Sequence, residues 1–207
     1  MLIPFEKQKF YPYFYHIIMK YKQFLYLFKK QPDMAILNFE FKARTNDLDG
    51  LEKKLLSLNP LFIGEDHQTD TYFNVPTGRL KLREGNIENS LIYYERQNTA
   101  DAKQSDVLLY KHAPDKTLKE ILIKTNGVKV VVEKKRKIYF IDMVKFHFDF
   151  VEGLGTFVEV EAIDKTGDIG IEKLKEQCFK YAAFFEIRDE DYVAVSYSDL
   201  ILSHLQD

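Results

Sequence analysis

Five short segments carry charge on alternate residues, and a β-strand turns alternate residues to one face. They are Asn38-Phe-Glu40-Phe-Lys42, Arg79-Leu-Lys81-Leu-Arg83, Lys134-Lys-Arg136, His147-Phe-Asp149 and Glu159-Val-Glu161. An open sheet could turn such faces to water. A closed barrel could gather them into a lumen, with Phe39, Phe41, Leu80, Leu82, Phe148 and Val160 facing outward under helices. An unpaired buried ion costs several kcal/mol, so a charged lumen must hold water, a metal or a charged ligand. The pattern points to a polyanion site with metal.

The 207 residues fit one domain, with room for an extension. A formal charge of -2 argues against a general nucleic-acid binder. It leaves room for a local basic cavity, because net charge does not report clustering. The single cysteine, Cys178, excludes an internal disulfide and sits at core spacing in a helical pattern, as a buried thiol would. The expected compartment is the cytoplasm.

Residues 1–33 form a basic-aromatic extension, separate from the domain expected over 34–207. Three readings stay open for it: an upstream stretch preceding a natural start at Met34, a peripheral helix packed on the domain, or contact with a membrane surface. Its longest uncharged run, Phe10 to Met19, contains Pro12 and is too short to span a bilayer.

From Met34 onward strands and helices follow in regular order. Strands are expected at Ala35 to Ala43, Thr69 to Asn74, Arg79 to Glu84, Leu91 to Arg96, Asp106 to His112, Val128 to Phe140, Val144 to Phe150 and Thr156 to Ala162. Asn98 to Ser105 is polar and aperiodic, which predicts a loop. Asp47 and Asp115 cap helices that end near Pro60 and Gly127. Two further helices are expected at Ile171 to Phe185 and Tyr197 to Leu205. The fold class is therefore α+β, an eight-stranded antiparallel β-barrel or tunnel with helices packed outside.

Familiar sites are missing. Gly153-Leu-Gly155 joins two strands and opens no helix, so it is no dinucleotide fingerprint. There is no Walker-type lysine loop, and the histidines form no metal pair at helical spacing. The ionic set remains. Glu40, Asp149, Glu159 and Glu161 are hard oxygen ligands suited to Mg²⁺ or Mn²⁺. Lys42, Arg79, Lys81, Arg83, Lys134 and Arg136 are candidates to hold phosphates. These six cations exceed the four carboxylates by two, a balance that a triphosphate and its metal would complete. The competing reading is a solvated β face laced with cross-strand salt bridges.

Further blocks share this order along the chain: His67-Gln-x-Asp70-Thr-Tyr-Phe73, Gly78-Arg-Leu-Lys-Leu-Arg-Glu84, Leu91-Ile-Tyr-Tyr-Glu-Arg96, Glu152-Gly-Leu-Gly-Thr-Phe-Val-Glu-Val-Glu161 and Ser196-Tyr-Ser-Asp-Leu200. Together with Asn38-Phe-Glu40-Phe-Lys42, they make the chain resemble the CYTH superfamily of triphosphate tunnel metalloenzymes, and within it the class IV adenylate cyclases. The resemblance implies an eight-stranded tunnel and a Mg²⁺- or Mn²⁺-dependent enzyme binding ATP. The products it implies are cyclic AMP and pyrophosphate. It places Glu40, Lys42, Arg136 and Glu159 in catalysis. Phosphate binding falls to Lys42, Arg79, Lys81, Arg83, Arg96, Lys134 and Arg136, and metal binding to Glu40, Asp149, Glu159 and Glu161. In Leu91 to Arg96 both parities mix apolar and charged residues, so either Glu95 or Arg96 could face the lumen.

One departure bears on the activity. Asn38 stands where the family's strand-one signature carries its first Glu. An amide oxygen still ligates a hard cation, but without a charge. A triphosphatase acting on thiamine triphosphate, a nucleotide or inorganic triphosphate is the alternative activity. A non-catalytic triphosphate sensor is the alternative from another class. The sequence indicates no nucleic acid, membrane span or protein partner.

Overall fold

The computed structural model describes residues 36–95 and 103–205. The extension 1–33 and Arg96 lie outside the described residues. The elements in chain order are β1 (Ile36–Arg44), α1 (Leu48–Leu56), β2 (Leu61–Phe73), β3 (Arg79–Glu84), β4 (Ser90–Glu95) and β5 (Lys103–Lys111). They continue with α2 (Lys116–Asn126), β6 (Val128–Ile141), β7 (Val144–Val151), β8 (Gly155–Asp164), α3 (Ile171–Phe184) and α4 (Tyr197–His204). The strands close in the order β1-β5-β4-β3-β2-β6-β7-β8, and β8 pairs back onto β1. Every pairing is antiparallel. Closure gives each of the eight described strands a neighbour on both sides, which limits edge-to-edge association.

Local chemistry starts and stops the elements. The Asp47 carboxylate accepts the Gly50 N–H at 3.0 Å and opens α1. Asp115 does the same for the Thr117 N–H at 2.8 Å and opens α2. Gly127 ends α2 at φ 68°, in the left-handed region that a glycine enters without strain.

Two apolar layers flank the sheet on its outside. The odd-numbered residues of β1, Phe39 and Phe41, meet Phe146, Phe148 and Val160 beneath α1 and α3. There α3 contributes Leu174, Cys178, Tyr181 and Ala182. Each large side chain buried here stabilises the fold by roughly 1.5–3 kcal/mol. A smaller layer puts Leu122 of α2 on Phe73 and Leu82. The outward positions expected for Phe39, Phe41, Leu82, Phe148 and Val160 are thus the observed ones, and Leu80 packs against the α2 layer.

A third cluster belongs to the inside of the barrel. Tyr72, Tyr94, Val132 and Phe157 have the same strand parity as the ionic residues and pack with Tyr197 at the start of α4. The interior is therefore apolar toward α4 and ionic farther along the strands.

Two boundaries differ from the sequence reading by more than two residues. Strand β2 begins at Leu61 rather than Thr69. Its stretch Glu65-Asp66-His67-Gln68 lacks apolar alternation, because Asp66 and Gln68 are buried with the ionic groups while Glu65 and His67 are exposed. Strand β5 begins at Lys103, inside the expected loop, where pairing with β1 supplies the order that side-chain pattern does not. Among the described residues no helix is long and apolar enough to cross a membrane.

Candidate active site in the barrel lumen

Alternation puts the candidate residues on the inner face, and register decides which of them meet. β1 and β8 place Glu40 opposite Glu161 and Lys42 opposite Glu159. β7 and β8 place His147 opposite Glu159 and Lys145 opposite Glu161. β6 and β7 place Arg136 opposite Asp149.

The first group centres on Arg136. Its Nε and Nη2 donate to the two oxygens of Asp149 at 2.7 and 2.5 Å, and Nη2 also donates to Glu159 at 2.7 Å. Tyr197 O–H donates to Asp149 Oδ2 at 2.7 Å. Asp149 is fully enclosed, with both oxygens engaged by these donors. That geometry lets Asp149, expected among the metal ligands, orient Arg136. Burial opposes its charge, but the Arg136 guanidinium holds its carboxyl below the usual range. Glu159 is likewise held well below that range against the cost of burial, by Lys42 and Arg136. Lys42 Nζ lies 3.9 Å from Glu159 Oε1 and 4.3 Å from the centre of the Tyr197 ring.

The second group centres on Asp70. Arg83 donates to both its oxygens at 2.8 and 2.9 Å, and Lys81 and Lys134 reach it at 3.1 and 2.7 Å. Burial works against this carboxylate, yet Arg83, Lys134 and Lys81 together hold it well below its ordinary range. One carboxylate cannot neutralise three cations. A guanidinium keeps its proton, so the imbalance falls on a lysine. Burial, with repulsion from Arg83, Arg136 and Lys81, outweighs the attraction of Asp70 and pushes Lys134 down to about 7.

Arg79 stands apart from both groups. Its Nη2 donates to Asp199 in α4 at 2.9 Å, near the Tyr94 ring. Glu95 lies on the outer parity with Tyr93, whose hydroxyl donates to it. Glu95 therefore does not face the lumen.

The third group is the pair of carboxylates on β1 and β8 with Asn38. An ionised carboxylate only accepts hydrogen bonds. The Asn38 amide accordingly turns its Nδ2 to Glu161 Oε1, at 2.7 Å. Among the described residues its Oδ1 is then left buried with no donor. An orphaned, buried oxygen beside Glu161, with Glu40 across the strand pair, fits a hard divalent cation. Among the described residues no three Asp, Glu, His or Cys side chains cluster tightly enough to enclose a metal. Mg²⁺ is commonly held by one or two carboxylates together with substrate phosphates and water, so an incomplete protein shell suits that ion.

Sequence reasoning missed several lumen groups. Asp66 is completely buried and accepts the backbone N–H groups of Ile87 and Glu88, both at 2.9 Å. Glu88 enters the lumen from the β3–β4 loop, where no strand parity could reveal it. Lys145 and His147 carried the right parity on β7 but were not assigned a role. Burial, with Arg136 and Lys145 nearby, pushes His147 down to about 4, so its imidazole is neutral near pH 7. Asp66, Asp70 and Glu88 together offset both the expected excess of two cations and the additional Lys145.

A model of the CYTH domain matches residues 37–197. The chain belongs to the CYTH family. Among curated proteins it is 30% identical over 130 residues to adenylate cyclase CyaB of Aeromonas hydrophila, covering 58% of this chain and 66% of that protein. Among solved structures, the CYTH barrel resembles the PH1012 protein of Pyrococcus horikoshii. The TM-score is 0.70 at 25% identity, over 79% of this chain and 98% of that one. It also resembles HpAC1 from Hippeastrum, for which a dominant triphosphatase activity is described. There the TM-score is 0.57 at 14% identity, over 82% of this chain and 96% of that one, a likeness of fold alone. The tunnel expected for a CYTH chain is the closed barrel observed.

Proposed function

We propose that this chain is a divalent-cation-dependent enzyme that binds ATP through its triphosphate in the lumen and forms cyclic AMP with release of pyrophosphate. The observation that carries this reading is the convergence of Lys42, Lys81, Arg83, Lys134 and Arg136 inside one closed barrel, a run of cations suited to a linear polyanion. The curated relative at 30% identity is an adenylate cyclase, which supports the finer assignment.

In this mechanism the 3′ oxygen of the ribose attacks the α-phosphorus. The new O–P bond forms as the bond to the bridging oxygen of the β-phosphate breaks, and the hydroxyl proton passes to a lumen carboxylate. Such chemistry asks mainly for positioning and charge neutralisation. Arg136 offers a planar fork whose orientation is fixed by Asp149 and Tyr197. Lys134, two residues away on the same strand, and Lys81 of β3 bring point charges beside it. Lys42 lies between Glu159 and Tyr197, close to both groups. Glu40, Glu161, Glu159 and the Asn38 carbonyl oxygen would hold Mg²⁺ or Mn²⁺, which when bound neutralises phosphate charge and polarises the reacting phosphoryl group.

The same cations would serve attack by water on the terminal phosphate, releasing ADP and phosphate. A specific observation favours keeping this second reading. The ionic groups described recognise phosphates, whereas the apolar end of the lumen is filled by Tyr72, Tyr94, Phe157 and Tyr197. Incubation with ATP and Mn²⁺, followed by product identification, tests both. Cyclic AMP with pyrophosphate is expected. ADP with phosphate would assign the triphosphatase. Tight binding without turnover of ATP, thiamine triphosphate or inorganic triphosphate would assign a sensor.

A further inference from the structure

The β3–β4 loop is fastened far more heavily than a hairpin turn requires. Asn89 bonds Gly85 twice, its Oδ1 accepting the N–H at 3.2 Å and its Nδ2 donating to the carbonyl at 2.9 Å. Asn86 ties the loop to β2 through the His67 N–H at 2.6 Å and the Glu65 carbonyl at 3.0 Å. The buried Asp66 carboxylate takes the N–H groups of Ile87 and Glu88. Gly85 is needed for that approach. A Cβ there would stand 2.6 and 2.8 Å from the Asp66 oxygens and 2.8 Å from the Glu88 carbonyl.

All this fixes one side chain. Glu88 reaches inward, and its Oε2 accepts from Arg83 Nη1 at 3.0 Å and from Gln68 Nε2 at 3.1 Å. Gln68 is itself held by Asp66 at 2.7 Å. Glu88 Oε1 accepts from Lys145 Nζ at 2.5 Å. Lys145 belongs to β7, which is not a sheet neighbour of β3 or β4, so the Glu88–Lys145 pair crosses the lumen as a bar. Lys145 also lies opposite Glu161 in the β7–β8 register, next to the candidate metal carboxylates.

Arg83 is thereby engaged on two sides, by Asp70 and by Glu88. The two carboxylates differ. Asp70 is enclosed and shared by three cations, whereas the Glu88 side chain is 24% exposed and ends the cation row at Arg83 and Lys145.

We propose that Glu88 is a built-in counter-anion that occupies the place of one further phosphate and so sets the length of the phosphate chain the lumen accepts. The proposal rests on the reading of the lumen as a triphosphate site and makes Glu88 a specificity-determining residue within it. A carboxylate on a fastened loop cannot step aside for a longer chain. An anionic group beyond the third phosphate then meets a negative charge where it would otherwise meet two cations.

The test is calorimetric binding of linear inorganic tripolyphosphate and tetrapolyphosphate, without divalent metal, to the parent, to Glu88→Gln and to Glu88→Gln/Lys145→Met. Glutamine keeps the shape and can still accept from Arg83 or Gln68, and melting curves check that each variant is folded. The parent is expected to gain nothing from the fourth phosphate. In Glu88→Gln the ratio of tetra- to tripolyphosphate affinity should rise about tenfold, the worth of one charge-assisted contact. The added Lys145→Met change should reverse that rise. An unchanged ratio in a folded Glu88→Gln overturns the proposal, including the case in which both affinities rise together, since that describes a displaceable competitor. If the parent binds tripolyphosphate while the ratio stays fixed, the triphosphate reading survives and Glu88 alone is reassigned. If the folded parent binds neither probe, both fall.

Discussion

Asn38 donates its side-chain N–H to Glu161 Oε1 at 2.7 Å, and this bond leaves the Asn38 carbonyl oxygen buried without a donor among the described residues. A neutral amide here does two things that a carboxylate could not do together. It relieves the repulsion that a third acid would bring to Glu40 and Glu161, and it still presents an oxygen to a cation.

Replacing that amide is therefore expected to trade stability for metal affinity. Asn38→Asp removes the donor to Glu161 and sets two carboxylates close together. Without metal the variant should lose about 1–3 kcal/mol, the cost of a buried group left unsatisfied. With Mn²⁺ it should bind metal more tightly than the parent, as an added carboxylate does for a hard cation. Melting curves with and without Mn²⁺, together with a metal titration, measure both. Equal metal affinity in the two proteins would place Asn38 outside the coordination shell.

The Lys134 ammonium gives the fold a pH dependence of definite sign. Its folded pKa, pushed down to about 7, lies below the unfolded lysine value of about 10.4. Between those values the unfolded chain binds more protons, so this group makes stability rise with pH across that window and adds no slope below about 7. Denaturant unfolding of the parent and of Lys134→Met from pH 6.5 to 10 should show a shallower rise in the variant. Parallel curves would mean that Lys134 keeps its proton.

Arg136→Lys and Glu159→Gln should fail differently. The lysine keeps a charge but loses the fork that meets Asp149 and Glu159. Triphosphate affinity or rate is expected to fall about ten- to a hundredfold, and excess Mn²⁺ should not restore it. Glu159→Gln weakens a proposed ligand, so excess Mn²⁺ should recover part of its rate. Steady-state rates across a Mn²⁺ series separate the two. Identical responses would end the division of roles.

Cys178 should be inert in the folded protein. It is fully buried, its thiol donates to the Phe39 carbonyl at 3.0 Å, and burial pushes it up to about 12. Iodoacetamide at pH 8, followed by mass spectrometry, should label Cys178 under denaturing conditions and leave the native protein unmodified. Rapid native labelling would show that α3 opens away from β1 and β8.

Where one strand face is apolar and the other ionic, the sequence was sufficient. Phe39 and Phe41 against Glu40 and Lys42, or Leu82 against Lys81 and Arg83, fix both the strand and the side that turns inward, because a residue shift of one exchanges the faces. That alternation, with caps at Asp47 and Asp115, was enough for the fold class and most of the lumen-facing set. It failed at Glu65 to Gln68, where both faces are polar and periodicity carries no contrast.

Partnership was a matter for the tertiary structure. Parity says that Asp149 faces inward, but only the antiparallel register of β6 and β7, with Tyr197 arriving from α4, turns it into the support of Arg136. Pairing of β2 with β3 and β6 likewise brings Asp70 among Lys81, Arg83 and Lys134, and curling of the sheet into a barrel lets Glu88 on a loop reach Lys145 across the lumen. Sequence alone determined which residues share a face, because that follows from bond geometry along one strand. Which charge neutralises which depends on distances of a few ångströms between strands far apart in the chain, and those exist only once the sheet has closed.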